Sequence, residues 1–477
     1  MVIYSLFPYN EGKSIKEGAF MQKIGNLKTY TSKEIESSCV SIGFECLDRE
    51  LFDANKCYDP LAKTGVKHAR VQTGWAKCEK EKGIYDFAWL DDVVDNLLSR
   101  GILPWFNVGY GNPVYMPDVP NPTAVGCVPL YYGDECLNAW KSFVRALTEH
   151  YKDRVSHYEI WNEADGKSFW YPSTANPEEY ARLVNLTAEV ILGVKPDAEI
   201  GANVSAPYYF DYTDRFYASV DKDKLHFFAY HAYSAMPEYR FKGLIHHHRK
   251  SLDANGLAHV DLWQGEGGYP SWAYEGHWLV KAGCDDERGQ AVFQLRRYFL
   301  DICYGAKRSS FFQMADMWEK PYAKAVQVLK KPAAHGILNG LTYTPKASYT
   351  TITHLSTIFS GEINADKHYM HINTTAPSPI ETLSCQMLTY SRNGKPVYAY
   401  YLPTDLAKNE EIPYTADVCI HGALKDPVLI DPYTGEVFAL DAPTPDSPYD
   451  PGIVAYKNLP LKDYPLMVTE KDTYEIV

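Results

Sequence analysis

The sequence predicts a (β/α)8 barrel of the α/β class carrying a smaller C-terminal β-sandwich. Three observations lead there. From about Ser38 to Gly361, short apolar runs alternate with longer stretches of helical periodicity. Eight such runs can be counted, over a length that suits a closed barrel. Past Gly361 the runs become short and strand-like, separated by Gly, Pro and Asp turns. A doubly wound sheet is the runner-up, but no Gly-rich phosphate loop follows the first strand. The division is therefore residues 1–37 as an N-terminal segment packing on the sandwich, 38–361 as the barrel, and 362–477 as the sandwich.

The candidate barrel strands are, in order, "CVSIGFE", "HARVQTGW", "LPWFNVGY", "SHYEIWNE", "EIGANV", "LHFFAYHAY", "VDLWQGE" and "SSFFQMADMW". Between them, "FAWLDDVVDNLLSRG" places Leu90, Val93, Val94, Leu97 and Leu98 at helical spacing, and Gly101 ends the helix. "CLNAWKSFVRALTEHY" and "PEEYARLVNLTAEVILGV" follow the same logic, and "ASYTTITHLSTIF" reads as the closing helix. In the last part, "LSCQMLTYS", "PVYAYYLP", "ADVCIHG", "DPVLIDPYTGEVFALD" and "YPLMVTE" are the strand-like runs; nothing among them clusters like a catalytic site.

Composition sets the bounds. At 45% hydrophobic and 22% charged the chain is ordinary for a globular protein, but its 14% aromatic share, with 38 tyrosines, is high enough to suggest ring-binding surfaces. A net charge of −13 argues against nucleic acid or anionic membranes as partners, since both reward clustered cations. No run is long enough to span a membrane, and the N-terminus lacks the pattern of a secretory leader. The 10 cysteines are scattered without CxxC pairs or nearby histidines, so they read as reduced, buried thiols. A cytoplasmic protein is the simplest reading, with a secreted one stripped of its leader as the alternative.

Catalytic groups of a barrel sit at the C-terminal ends of its strands. Those ends carry Glu45, Arg70 with Trp75, Asn107, Asn162 with Glu163, Asn203, His231 with Tyr233, Glu266 and Trp318. Two carboxylates, Glu163 and Glu266, end the fourth and seventh strands. Across a barrel mouth they can approach the ~5–5.5 Å of a retaining glycosidase, in which one attacks the anomeric carbon and the other protonates the leaving oxygen. The plainer reading of "WNEAD" is a helix start, with Asn162 as cap and acids in the first turn.

The stretch from "GVKHARVQTGWAKCEKEKGIYDFAWLDDVVDNLLSRGILPWFNVGYGNP" through "EIWNEAD" to "LWQGEGG" resembles glycoside hydrolase clan A, and within it the family 39 type that includes β-xylosidases. The resemblance implies that Glu163 is the acid/base and Glu266 the nucleophile. It implies that Asn162 holds the substrate 2-hydroxyl, that Arg70 keeps Glu266 ionised, and that Trp318 is an aromatic floor under the sugar. Strict alternation along a strand would send Asn162 and Glu163 to opposite faces, so the chain must bend at the strand end. His231 and Tyr233 share a strand face; Tyr233 or Tyr230 is placed to donate to Glu266, and His231 to touch Glu163 or a hydroxyl.

Trp75, with Trp161, Trp170, Trp263 and Trp272, offers further stacking platforms, though part of that set belongs to the core. Glu45, Asn107 and Asn203 are candidates for hydroxyl binding, with buried structural hydrogen bonding as the alternative. No metal or other cofactor is implied. "HHH" at His246–His248 cannot share one helix face and reads as a solvated helix, and "GYGNP" lacks the lysine of a phosphate loop. The expected substrate is an oligosaccharide or glycoside, attacked by double displacement through a covalent glycosyl-enzyme. Exo action is preferred because "YGNPVYMPDVPNPTAVGCVPLYYGDE" is long enough to wall off one side of the mouth. An endo-β-glucanase, a transglycosylase and a non-catalytic sugar-binding barrel are the competing readings.

Overall fold

The computed structural model describes residues 21–273, 279–280, 286–317, 333–376, 385–406 and 412–477. Strand β1 (Lys23–Asn26) precedes a closed barrel of parallel strands: β2 (Val40–Gly43), β3 (His68–Gln72), β4 (Leu103–Val108), β5 (His157–Ile160), β6 (Glu199–Val204), β7 (Phe227–Tyr230), β8 (Asp261–Gly267) and β9 (Arg308–Phe311). The short helices α1 (Tyr58–Lys63) and α2 (Trp75–Cys78) lie beside the first strands. The outer ring contains α3 (Ala88–Ser99), α4 (Gly133–Tyr151), α5 (Pro177–Val194), α6 (Phe210–Ser219), α7 (Phe241–Ala254), α8 (Glu287–Cys303) and α9 (Ala347–Ile358). Among the described residues no helix is long and apolar enough to cross a membrane.

Local chemistry explains these elements. In α3 the predicted residues Leu90, Val93, Val94 and Leu97 are buried, and Gly101 follows with φ 78°, a backbone state that glycine adopts without penalty. In α5 the Asn176 side chain accepts from the backbone N–H of Glu179, with Pro177 at the first position and two acids in the first turn. The strands are shorter than the sequence runs suggested: β5 stops at Ile160 and β7 at Tyr230, so the residues beyond them lie on loops. The His246–His248 reading needs correcting at one position. His246 is exposed and His247 pairs with Asp214, but His248 is buried, 2.8 Å from the Tyr217 hydroxyl and 2.9 Å from the Pro207 carbonyl.

Alternation along the strands divides the barrel interior into two levels. Lower down, Trp105, Phe227, Ala229 and Trp263 form an apolar plug of their own, with Phe227 and Trp263 stacked at 3.8 Å. Above it, the same inward-facing register carries Arg70, Asn107, Glu159, Asn203 and then His231, all buried. Polar groups that would be costly in a core are concentrated where they bond one another.

After α9 come β10 (Ile363–Asn364), β11 (Met370–Thr374), β12 (Gln386–Arg392), β13 (Lys395–Tyr401), β14 (Thr415–His421), β15 (Pro427–Ile430), β16 (Glu436–Ala439), β17 (Thr444–Pro445), β18 (Ile453–Pro460) and β19 (Leu466–Glu470). They form two antiparallel sheets, β1-β16-β15-β19-β13-β12-β10 and β11-β14-β18-β17. Helix α8 joins barrel to sheets: every residue from Gly289 to Cys303 is buried. Its polar residues are bonded, two arginines across the junction and a third within the helix. Arg288 forks onto Asp463 at 2.7 and 3.0 Å, Arg296 donates to the backbone carbonyls of Asp463 and Thr404, and Arg297 pairs with Asp301.

The plug depends on one glycine. Gly201 sits beside Phe227 in the β6–β7 register, and a Cβ there would lie 2.0 Å from the Phe227 ring. Gly201→Ala is expected to destabilise the protein by about 1–3 kcal/mol, because the ring is clamped against Trp263 and cannot step aside. A thermal unfolding midpoint equal to that of the unmodified chain would show that the plug has room.

Candidate active site

The site is built where alternation breaks down. Beyond Ile160, Trp161 and Glu163 take φ values of 66° and 49°, so the chain bends and Asn162 and Glu163 both serve the same mouth. Two asparagines hold that bend. Asn107 and Asn203 each donate to the Trp161 carbonyl, and Asn203 Oδ1 accepts the Glu163 N–H at 2.6 Å. Left-handed conformations at non-glycine residues cost free energy and persist where neighbours overdetermine them, as they do here. On the other side of the mouth the β8–β9 register shifts between Gln264 and Gly267, a bulge that re-aims Glu266.

Arg70 lies beneath both acids with no exposed side-chain surface. Its Nε and Nη2 donate to Glu159 at 3.1 and 2.6 Å, Nη2 also to Asn162 Oδ1 at 2.8 Å, and Nη1 faces Glu266 Oε2 and Glu45 Oε2, each at 3.0 Å. Burial works against the guanidinium charge, and Glu159 and then Glu45 overcome it, so its pKa stands well above the ordinary value. Glu45 is pushed the other way: burial, reinforced by Glu266 and Glu159, raises its carboxyl well above the usual range against the pull of Arg70. Because Asn162 presents its oxygen to Arg70, its amide NH2 is the part left over for another partner.

The two mouth acids have different surroundings. Glu266 accepts from the Tyr233 hydroxyl at 2.8 Å and from Arg70 at 3.0 Å. Among the described residues Glu163 touches no Lys or Arg, and its Oε1 lies 2.9 Å from His231 Nδ1. Burial, with a contribution from Asp165, pushes the Glu163 pKa up to about 8, and burial pushes that of His231 down. One carboxylate oxygen of Glu163, one of Glu266 and a ring nitrogen of His231 all lie within 4.8 Å of one another. That spacing alone would suit a cation, but the Arg70 guanidinium already supplies the positive charge beside Glu266.

Glu163 and Glu266 line a pocket of about 520 Å³ together with Phe169, Ser205, Tyr233, Phe312, Met317, Ala333 and His335. Several sequence expectations are corrected here. Trp75 is no sugar platform: it begins α2, which turns it behind the wall onto Trp140 and Phe143, where its N–H bonds Glu79. Trp161 and Trp170 are fully buried and Trp263 belongs to the plug, while Trp272 is partly exposed. Asn107 sits one layer too deep for a hydroxyl and bonds Glu159 and the Trp161 carbonyl instead. Arg70 and Glu45 are sealed below the pocket rather than lining it. Tyr230 donates to Asp301, away from the site. Trp318 lies outside the described residues.

The long insert after the third barrel strand does not line the pocket; its Tyr110 ring stacks behind Phe169, and Tyr131 accepts from the Trp170 N–H. Glu159 was missed because it sits mid-strand, where an acid looks like a surface residue. Its inward parity with Arg70 and Asn203 was the available signal. Phe169 ends a single 3-10 turn, and Phe312 and His335 come from irregular segments, so none has a periodic signature.

Residues 66–253 match the family model described as glycosyl hydrolases family 39. The chain resembles the family 39 glycoside hydrolases. The matched span holds Arg70, Asn162, Glu163, His231 and Tyr233 and ends before Glu266. Over 133 residues the family 39-like chain is 26% identical to a protein named beta-xylosidase from Geobacillus stearothermophilus, covering 25% of this chain and 24% of that one. The alignment thus spans about a quarter of the curated relative. A family 39 glycoside hydrolase from Bacteroides cellulosilyticus WH2 superposes with TM-score 0.65 at 16% identity, over 93% of this chain and 83% of its own. A GH39 beta-xylosidase from Caulobacter crescentus does so with TM-score 0.53 at 16% identity, over 80% and 79%. At such identities the structures speak to the fold: a family 39-like barrel with added antiparallel sheets. The family model and both of these structures are of family 39, and that is the likeness this chain carries.

The raised pKa of Glu163 has a stability consequence. Between about 4.5 and 8 the unfolded chain loses this proton while the folded chain keeps it, so the folded state binds more protons and stability falls as pH rises. Glu163→Gln cannot titrate. Its thermal midpoint is expected to gain on that of the unmodified chain from pH 5 to pH 8 and to run parallel above that window. A constant difference across the range would place the Glu163 pKa near its ordinary value.

Proposed function

We propose that this chain is a retaining β-glycosidase, with Glu266 as nucleophile and Glu163 as acid/base. The observation that carries the reading is the pair of unlike carboxylates with oxygens within 4.8 Å. Retaining glycosidases hold theirs about 5–5.5 Å apart and inverting ones about 6.5–9.5 Å, because the latter must fit a water between. Glu266, gripped by Arg70 and Tyr233, attacks the anomeric carbon as the glycosidic bond breaks. Glu163 gives its proton to the departing oxygen. In the second step the Glu163 carboxylate takes a proton from water, which attacks the same carbon and releases Glu266. His231 Nδ1 holds Glu163 in place through both steps, and the Asn162 amide bonds the 2-hydroxyl, a contact that tightens as positive charge develops on the ring.

The substrate proposed is a β-xyloside. Support comes from the relatives named beta-xylosidase and from a pocket walled by Phe169 and Phe312, whose faces suit the apolar side of a pyranose.

The test is a 2-deoxy-2-fluoro-β-xylosyl compound with a good leaving group, followed by peptide mapping. It is expected to label Glu266, and the hydrolysis product seen first by NMR is expected to be the β-anomer. A label on another residue, or an inverted product, would overturn the assignment. Glu163→Ala is expected to lose most turnover of xylobiose while still releasing dinitrophenol from an aryl xyloside, with azide restoring the second step. The basic limb of kcat/KM, expected near pH 8 from the raised Glu163 pKa, should vanish in that variant. Equal losses on every leaving group, without azide rescue, would make Glu163 a structural acid.

A further inference from the structure

We propose that the four-stranded sheet carries a divalent-metal site of the zinc class, formed by His371, Cys419 and Asp446. These residues are far apart in sequence and brought together by strand register. His371 of β11 and Cys419 of β14 are direct cross-strand partners, which puts their side chains on one face. Cys419 in turn faces Ala455 of β18, and Ala455 faces Thr444 of β17. With only a methyl group at Ala455, that face stays open for Asp446, which follows just after β17. One donor atom from each of the three residues lies within 4.8 Å of the other two, and His371 Nε2 is 3.4 Å from Asp446 Oδ2.

The surroundings suit ligation. The Tyr369 hydroxyl lies 2.9 Å from His371 Nδ1, where accepting an N–H leaves the Nε2 lone pair directed at the cluster. Asn373 Nδ2 lies 3.7 Å from Cys419 Sγ, a neutral donor for a thiolate. Cys419 is buried, while His371 and Asp446 keep 36% and 18% of their side chains exposed, so an ion has a route in from solvent. A mixed sulfur, nitrogen and oxygen set disfavours calcium and magnesium, which take oxygen ligands, and fits zinc. On binding, the Cys419 thiol releases its proton to solvent as the metal–sulfur bond forms, and a water completes the tetrahedron. Thiolate and carboxylate then balance the dication. Zinc ligand atoms sit roughly 3.3–3.8 Å apart, given bonds of about 2.0–2.3 Å, so the trio closes slightly around the ion.

The experiment is a cobalt(II) titration of the full chain after chelation and dialysis. Cobalt is the probe because a cobalt–thiolate bond gives a charge-transfer band in the near ultraviolet that oxygen and nitrogen ligands do not. A saturable band at one equivalent, displaced by zinc, is expected for the unmodified chain. Cys419→Ser should abolish the band, and His371→Ala should weaken cobalt binding by about tenfold or more. Hydrolysis of an aryl glycoside, carried out by the barrel, should be unchanged in both variants and reports that they are folded. Absence of the band, or a band that survives in Cys419→Ser, would overturn the proposal and leave a His371–Asp446 ion pair beside an inert thiol.

Discussion

Arg70 has no exposed surface, yet each of its N–H groups has a partner: Glu159 twice, Glu45, Glu266 and Asn162. A buried guanidinium is tolerable only under such conditions, since an unpaired buried charge costs about 3–5 kcal/mol. Satisfying it fixes the geometry of the mouth. Glu159 and Glu45 come from inward positions on or just past the barrel strands and tie Arg70 from below. Asn162 and Glu266 come from a bend and a bulge, and their contact with Arg70 determines where the loops after β5 and β8 must run.

The distribution of charge follows from the same contacts. One cation serves three carboxylates directly, and Glu163 is not among them. Burial outweighs the distant pull of Arg70 and lifts Glu163 to about 8, while Glu266 sits against the guanidinium and a tyrosine hydroxyl. Two chemically identical side chains thereby stand in unlike surroundings, the difference on which the proposed roles of acid/base and nucleophile rest. Asn107 and Asn203 belong to this arrangement although neither lines the pocket. They hold the Trp161 carbonyl at the bend, and Asn203 also takes the Glu163 N–H, so the acid cannot drift from His231.

Much of this could be read from the sequence, and the failures have physical causes. Alternating apolar runs and helical periodicity marked the barrel, because each element must bury a face against its neighbours. Glu163 and Glu266 stood out as acids at strand ends. Trp75 was misplaced because counting from a strand end cannot see that a short helix starts there and turns the ring outward. Asn107 reads as a mouth residue because the run does not say how many inward layers lie above it. Glu159 was passed over because its value lies in a cross-barrel contact with Arg70, which no local pattern encodes. His371, Cys419 and Asp446 escaped for the same reason: antiparallel register, not spacing along the chain, makes them neighbours.

Glu163 keeps its proton because burial raises its carboxyl and the Arg70 guanidinium, bonded to other acids, is too far away to offset it. Carbon-13 NMR of the chain labelled at glutamate carboxyl carbons, followed through pH, tests this without substrate. One carboxyl resonance is expected to titrate near pH 8 and to be absent from Glu163→Gln. If the resonance lost in Glu163→Gln instead titrates near 4.5, burial does not hold the proton and the division of labour between the two acids must have another origin.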